Sequence, residues 1–234
     1  MEQFDFIETV TDVFNKNKLE VFIDCGTLLG IVRDGRILPW DNDLDFAVFE
    51  RHLNDKKINS LCIDFEKLGF KFYLKKNHIH IFHSLGVYAD VNIFKLDSGN
   101  YISENYYPGN IFDKFLYLIY ESINFNYPDK SFSKNIIKYF IHQMIIRLFS
   151  NSQEKPLSRL LTKYIERRMR LYWLDLSLSI PHLFFTDFKI FKNKFLIPSS
   201  TDEYLKFKYG EDWKIPDSNW HWSKDLSLKI NQKS

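Results

Sequence analysis

Apolar residues recur at helical spacing from the start of the chain. Ile7, Val10, Val13 and Phe14 share one face of a segment running from Phe4 to Asn17, which predicts an amphipathic helix. The period then changes: "LEVFID", Leu19 to Asp24, is short and rich in β-formers, and it ends at Cys25-Gly26, a strand running into a turn. "TLLGIVRDGR" is punctuated by Gly30 and Gly35 and predicts a brief helix followed by a turn. "LDFAVF" is an apolar run of strand length with Asp45 near its start. Helical spacing returns from His52 to Leu68 and stops at Gly69, a natural C-cap. Three strand-like runs follow, "FKFYLK", "HIHIFH" and "VYADVNIF", the first two pairing as a hairpin around Lys76-Asn77.

The second half is patterned more coarsely. Residues 98–130 are loop-rich, with "YISENYYPGN" and "NFNYPDK" bracketing a short helix. Long amphipathic helices are predicted over Asn135 to Ser150 and Pro156 to Leu171, joined by "NSQEK", with Pro156 suited to a helix start. In the tail, Ser200 or Thr201 caps a helix that ends at Gly210. The pattern predicts an α/β (α+β) fold: a mixed β-sheet flanked by helices, with a helical C-terminal part. The division falls into residues 1–125 and 126–234 within one compact unit.

Charge and cysteine usage narrow the classes. The formal charge of +2 conceals a stretch, residues 134–172, that carries +7 against −5 elsewhere, so a local basic surface is expected. No recognised nucleic-acid-binding motif accompanies it, so no nucleic-acid partner is expected. The N-terminus has neither a basic region nor an apolar run, which argues against a secretory signal. No segment approaches the ~18 uninterrupted apolar residues of a spanning helix. The nearest, Ile136 to Phe149, is broken by Lys138, His142, Gln143 and Arg147. Cys25 and Cys62 are too few for a disulfide scaffold or a thiolate zinc site. A cytoplasmic protein is expected.

The candidate chemistry lies in "GTLLGIVRDGRILPWDNDLDF", where Asp41, Asp43 and Asp45 alternate shortly after Gly26-Thr27. Residues two apart on a strand face the same way, so Asp43 and Asp45 direct their carboxylates to one side, where they suit Mg²⁺ or Mn²⁺. Gly26 and Thr27 offer close approach and a hydroxyl or N–H to a phosphate. Asp90, inside the apolar "VYADVNIF", is the candidate third carboxylate. Bland readings stand beside these: a solvated acidic turn, an edge-strand charge at Asp90, and Gly26 and Gly30 as packing glycines. His78 and His80 share a strand face, but with His83 they lack a matching cluster for zinc, and a structural role is favoured. Trp213, Trp220 and Trp222 either stack on a base or sugar ring or, more commonly, pack the tail onto the core.

The order of strand, Gly-Thr, short helix, Asp-x-Asp and later carboxylate resembles the nucleotidyltransferase superfamily. In detail the segment resembles the LicD signature, G-T-L-L-G-x-x-R-x-x-x-x-x-P-W-D-x-D-x-D, at every fixed position. The tail "YLKFKYGEDWKIPDSNWHW" is similar to the closing motif of the fukutin branch. The resemblance implies a nucleotidyltransferase-like catalytic core over residues 1–125, with the YGxxWxxP motif of the helical region packing on it. It also implies a phosphotransferase, cytoplasmic or peripheral at the inner face of the membrane. Such an enzyme moves a phospho-alcohol such as phosphocholine or ribitol phosphate from a CDP-linked donor to a hydroxyl of a glycan or lipid-linked glycan. Asp43, Asp45 and Asp90 would hold the metal and carry catalysis, Asp90 as ligand or proton acceptor. Gly26, Thr27, Arg33 and Asp41 would face the donor phosphates or assist. The text "ADVNIFKLD" departs from the Asp-x-Phe-Pro-Leu usual in the family, which leaves Asp90 and Asn92 as rival occupants of the third position. Nucleotidyl transfer to a small molecule or protein, and non-catalytic binding of a nucleotide or glycan, are the alternatives.

Overall fold

A computed structural model describes residues 3–41, 43–75, 77–83, 86, 88–124, 144, 156–192, 194–217, 220 and 224–231. The sequence reading divides the chain at residue 125. Its contacts group instead into one unit of residues 1–103 with 178–228 and a second of 104–177 with 229–234.

The first unit begins with helix α1 (Gln3–Lys16), whose Ile7, Val10, Val13 and Phe14 are buried, as the spacing predicts, together with Phe6. The first strand is shorter than expected: β1 covers Phe22–Ile23, and helix α2 starts at once, at Cys25, and runs to Arg33. The cause is local. The Asp24 side chain accepts the Cys25 N–H at 2.7 Å and caps the helix, so Gly26 and Thr27 lie within its first turn. Strand β2 (Leu44–Phe49) and a 3₁₀ turn follow, then helix α3 (Asp55–Lys67), capped by Asn54 accepting from the Lys57 N–H at 3.0 Å. Next come β3 (Phe70–Lys75), β4 (His78–His83), β5 (Tyr88–Asp97) and β6 (Asn100–Ser103).

Strand β2 runs antiparallel to β1 and parallel to β5, and β5 is flanked on its other side by antiparallel β4, which pairs with β3 as the expected hairpin. One face of this mixed sheet is apolar: Leu44, Phe46, Ile79, Ile81, Ala89 and Val91 are all buried. Aromatic rings tie α1 to this sheet and to α3, with Phe6 stacked on Phe70 at 5.2 Å and Phe14 edge-on to Phe65 at 6.1 Å. The alternation leaves the opposite face to Asp45, Asp90 and His80.

The chain also brings strands to its C-terminal part, where the sequence reading expects helices. Leu178 to Pro181, the end of β8 (Leu174–Pro181), pairs antiparallel with β6, and β9 (Phe188–Phe191) forms a hairpin with β10 (Phe195–Pro198). The short helix expected to end at Gly210 is present as Thr201–Tyr209, with Gly210 at φ 91° as its cap.

In the second unit, β7 (Tyr106–Tyr107) pairs with the start of β8. Helix α4 (Ile111–Asn124) is a full 14 residues where a short helix was expected. Helix α5 (Pro156–Tyr172) starts at Pro156 as expected and packs Ile165 and Met169 with Leu116, Tyr120 and Trp173. Arg168 pairs with the buried Asp113. The helix predicted over Asn135 to Ser150 lies outside the described residues except for Met144. The helix at Thr201–Tyr209, in the first unit, is α6.

Candidate active site

Asp45 is the centre of the site, and its backbone is held before its side chain acts. Its N–H donates to the Thr27 hydroxyl at 2.8 Å, its carbonyl accepts the Asp24 N–H at 3.1 Å, and its Oδ2 accepts the Gly26 N–H at 2.8 Å. Thr27 is fully buried, so its hydroxyl is committed to fixing the start of β2. Gly26 allows a close approach: a Cβ there would stand 2.3 Å from Asp41 Oδ2 and 3.2 Å from Asp45 Oδ2, so two carboxylate oxygens converge on the space that the missing side chain leaves to them. Gly30, by contrast, is a packing glycine: a Cβ would meet the Arg36 carbonyl at 2.7 Å.

The parallel pairing of β2 with β5 sets Asp45 directly opposite Asp90, while Asn92 falls opposite Ala47 and is buried. On the other side of β5, His80 stands opposite Asp90. A row Asp45, Asp90, His80 therefore crosses three adjacent strands on one face. His78 Nδ1 and His80 Nδ1 both lie 3.5 Å from Asp90 Oδ1, and the Tyr88 hydroxyl is hydrogen-bonded to His80 Nδ1. The shared strand face of His78 and His80 was legible from their spacing; that it is the face of Asp90 required the register.

Burial first, and then the charges of Asp43, Asp41, Asp90 and Asp24, push the Asp45 carboxyl well above its ordinary range. Burial, with Asp90, Asp43 and Asp45, likewise pushes the Tyr88 phenol up, so it remains a hydrogen-bond donor. Asp41, Asp43, Asp45 and Asp90 thus share one electrostatic site. Among the described residues no three His, Cys, Asp or Glu side chains close on a common point as a ready ligand set. Carboxylate oxygens crowded with like charge are nevertheless the donor chemistry that a hard divalent cation takes.

Arg33 lies at the far end of α2. Its guanidinium grips Asp34 through two bonds of 2.8 Å, reaches the Trp213 carbonyl at 3.5 Å, and is 7% exposed. The structure thus brings together Gly26, Thr27, Asp41, Asp43, Asp45 and Asp90 and sets Arg33 apart. Trp213 is buried in the core, Trp220 packs against Tyr209 with ring centroids 4.9 Å apart, and Trp222 lies outside the described residues.

The family model for the LicD/FKTN/FKRP nucleotidyltransferase domain matches residues 18–153, more than half of the chain. The chain belongs to the LicD family. Human ribitol-5-phosphate transferase FKTN is 20% identical to it over 220 residues, 94% of this chain and 35% of that protein. Uncharacterized protein RT0683 of Rickettsia typhi is 26% identical over 132 residues, 56% of this chain and 35% of that one. The LicD chain thus spans about a third of the length of these relatives. The crystal structure of ANT(2″)-Ia in complex with adenylyl-2″-tobramycin overlaps it at a TM-score of 0.33 and 14% identity, covering 71% of this chain and 98% of that one, too loosely to place any residue of the site. Among the described residues no helix of this LicD member is long and apolar enough to cross a membrane.

Proposed function

We propose that this chain is a metal-dependent phosphotransferase that moves a phospho-alcohol, of the ribitol phosphate or phosphocholine kind, from a CDP-activated donor to a hydroxyl of a glycan or lipid-linked glycan. The observation that supports it best is the pairing of Asp45 with Asp90 at the mouth of the Gly26 turn, with Asp41 and Asp43 close enough to raise the Asp45 pKa. Family membership and the likeness to FKTN support the class of reaction.

Asp43, Asp45 and Asp90 would hold a Mg²⁺ or Mn²⁺ ion, which would supply positive charge against the donor pyrophosphate. The donor phosphate approaches at the Gly26 turn, where a bound cation would offset the charge of the converging carboxylates, and Asp41 assists from the outer edge. Asp90, flanked by His78 and His80, takes the proton of the acceptor hydroxyl as that oxygen attacks phosphorus in line; the new P–O bond forms while the bond to CMP breaks. Peripheral contact with the inner face of a membrane, through the basic residues of α5, belongs to the same reading.

Purified protein incubated with CDP-ribitol, CDP-glycerol or CDP-choline, with Mg²⁺ or Mn²⁺ and with EDTA, tests it by CMP release and by the mass of the acceptor product. A mass gain of one phospho-alcohol supports the reading. A nucleotide adduct replaces it with nucleotidyl transfer, and unchanged metal-dependent turnover in folded Asp43→Ala or Asp45→Ala removes the site altogether.

A further inference from the structure

Behind the Gly26 turn lies a group of buried polar side chains. Tyr204 on α6 is fully buried and donates its hydroxyl to Asp24 Oδ1 at 2.6 Å. Asp24, also fully buried, caps α2 with that same oxygen and donates its own N–H to the Asp45 carbonyl. One turn along α6, the fully buried Lys208 ion-pairs with Asp225 at 2.9 Å and stands 5.8 Å from the Tyr204 ring. Asp24 Oδ2 takes no hydrogen bond among the described residues, and Lys208 is a cation that offsets its charge. Between Asp24 and Gly26, Cys25 is held at φ 45°, a left-handed conformation that a non-glycine residue keeps only when its surroundings impose it.

Buried ion pairs are poor sources of stability, because desolvation consumes most of the Coulombic gain. A lysine and two aspartates buried together behind one turn therefore call for a geometric explanation. The bonds form a continuous path from Tyr204 through Asp24 to the Cys25-Gly26 backbone and on to Asp45.

We infer that Tyr204 is a positioning residue of the transferase site: from the buried side it fixes Asp24, and through it holds the Gly26 N–H against Asp45 Oδ2. This rests on the reading of Asp45 as the centre of that site.

Hydrogen exchange of the metal-free full chain, followed by NMR at Gly26 and at Val48 in the core of β2, tests it together with CMP release per folded molecule. In Tyr204→Phe the Gly26 amide exchanges roughly tenfold faster or more, the factor expected when one charge-assisted bond is lost, while Val48 is unchanged. Turnover falls by at least the same factor. An unchanged Gly26 amide overturns the inference. So does Val48 accelerating in step with it, which marks general loosening, or unchanged turnover with Gly26 freed. Absence of CMP release in the unaltered protein defeats the proposed reaction, and the exchange experiment still decides the positioning.

Discussion

Asp45→Asn is expected to stabilise the metal-free protein while abolishing transfer. Asp45 faces Asp90 across adjacent strands, with Asp41 and Asp43 beside it, and burial and these charges hold its carboxyl well above the ordinary range. Carboxylates facing each other on neighbouring strands stand roughly 5 Å apart, which at an effective dielectric of about 20 gives a repulsion of about 3 kcal/mol. Asp90 is 27% exposed, so water screens part of this and about 1–2 kcal/mol remains. The asparagine oxygen still accepts the Gly26 N–H, so the substitution removes charge while keeping the bond. For a chain of this size the gain corresponds to a melting temperature roughly 2–8 °C higher. Thermal denaturation followed by circular dichroism in EDTA measures it. Repeated in millimolar Mg²⁺, the melt should rise for the unaltered protein and stay put for Asp45→Asn. A variant that melts lower in EDTA, or that gains as much from Mg²⁺ as the parent, would refute the reasoning.

Gly26→Ala puts a methyl group where Asp41 Oδ2 lies, 2.3 Å away, and should lower turnover about 100-fold by displacing the carboxylates; steady-state CMP release checks it, and near-normal turnover would remove the close approach from the mechanism. Arg33→Lys gives up the two-pronged grip on Asp34 and should cost about 1–2 kcal/mol in urea unfolding without changing the KM for the donor; a raised KM would instead assign Arg33 to the phosphate. In the second unit, burial pushes the Asp113 carboxyl up, but bonds from Arg168, Trp173 and Asn110 outweigh it and hold it below the usual range. Its stabilisation is therefore present above the ordinary carboxylate pKa of about 4 and is lost as pH falls through the lower folded value. Asp113→Asn should cost about 1–2 kcal/mol at neutral pH, the exposed edge of Arg168 discounted, and nothing in strong acid; a gap between the two proteins that persists in acid would contradict the assignment.

The legible parts of this chain are those whose information is local. Helical spacing at Ile7 to Phe14, the hairpin runs either side of Lys76-Asn77 and the Gly210 stop are set by neighbours a few residues away, and the structure reproduces them. The start of α2 was misplaced by two residues because the reading took Cys25-Gly26 as the end of a strand; Asp24, a good capping residue just before Cys25, was the overlooked signal. "LDLSLSIP" alternates with period two and so carried a strand signal at β8 that was not used. The choice between Asp90 and Asn92 is of another kind. It depends on the register of β5 against β2, a pairing across more than 40 residues that local pattern does not encode, and a slip of two residues would set Asn92 opposite Asp45.

The least legible part, the buried path from Tyr204 to Asp45, explains why two motifs so far apart accompany each other in one chain. Carboxylates gathered on a short ladder repel, so without a cation they tend to spread, and each ångström of spread weakens the later grip on one. Bonds from the solvent side would compete with the substrate for the same oxygens. Bonds from behind do not: Thr27 and Gly26 hold Asp45, Asp24 holds the Gly26 turn, and Tyr204 holds Asp24. On this account the acidic ladder and the tail act as one object, and two substitutions within it separate repulsion from restraint. Asp45→Asn relieves the repulsion and raises the melting temperature, whereas Tyr204→Phe removes restraint and frees the Gly26 amide. In the double variant, with repulsion already relieved, Tyr204→Phe should free that amide by a smaller factor than it does alone, an interaction measurable as a double-mutant cycle.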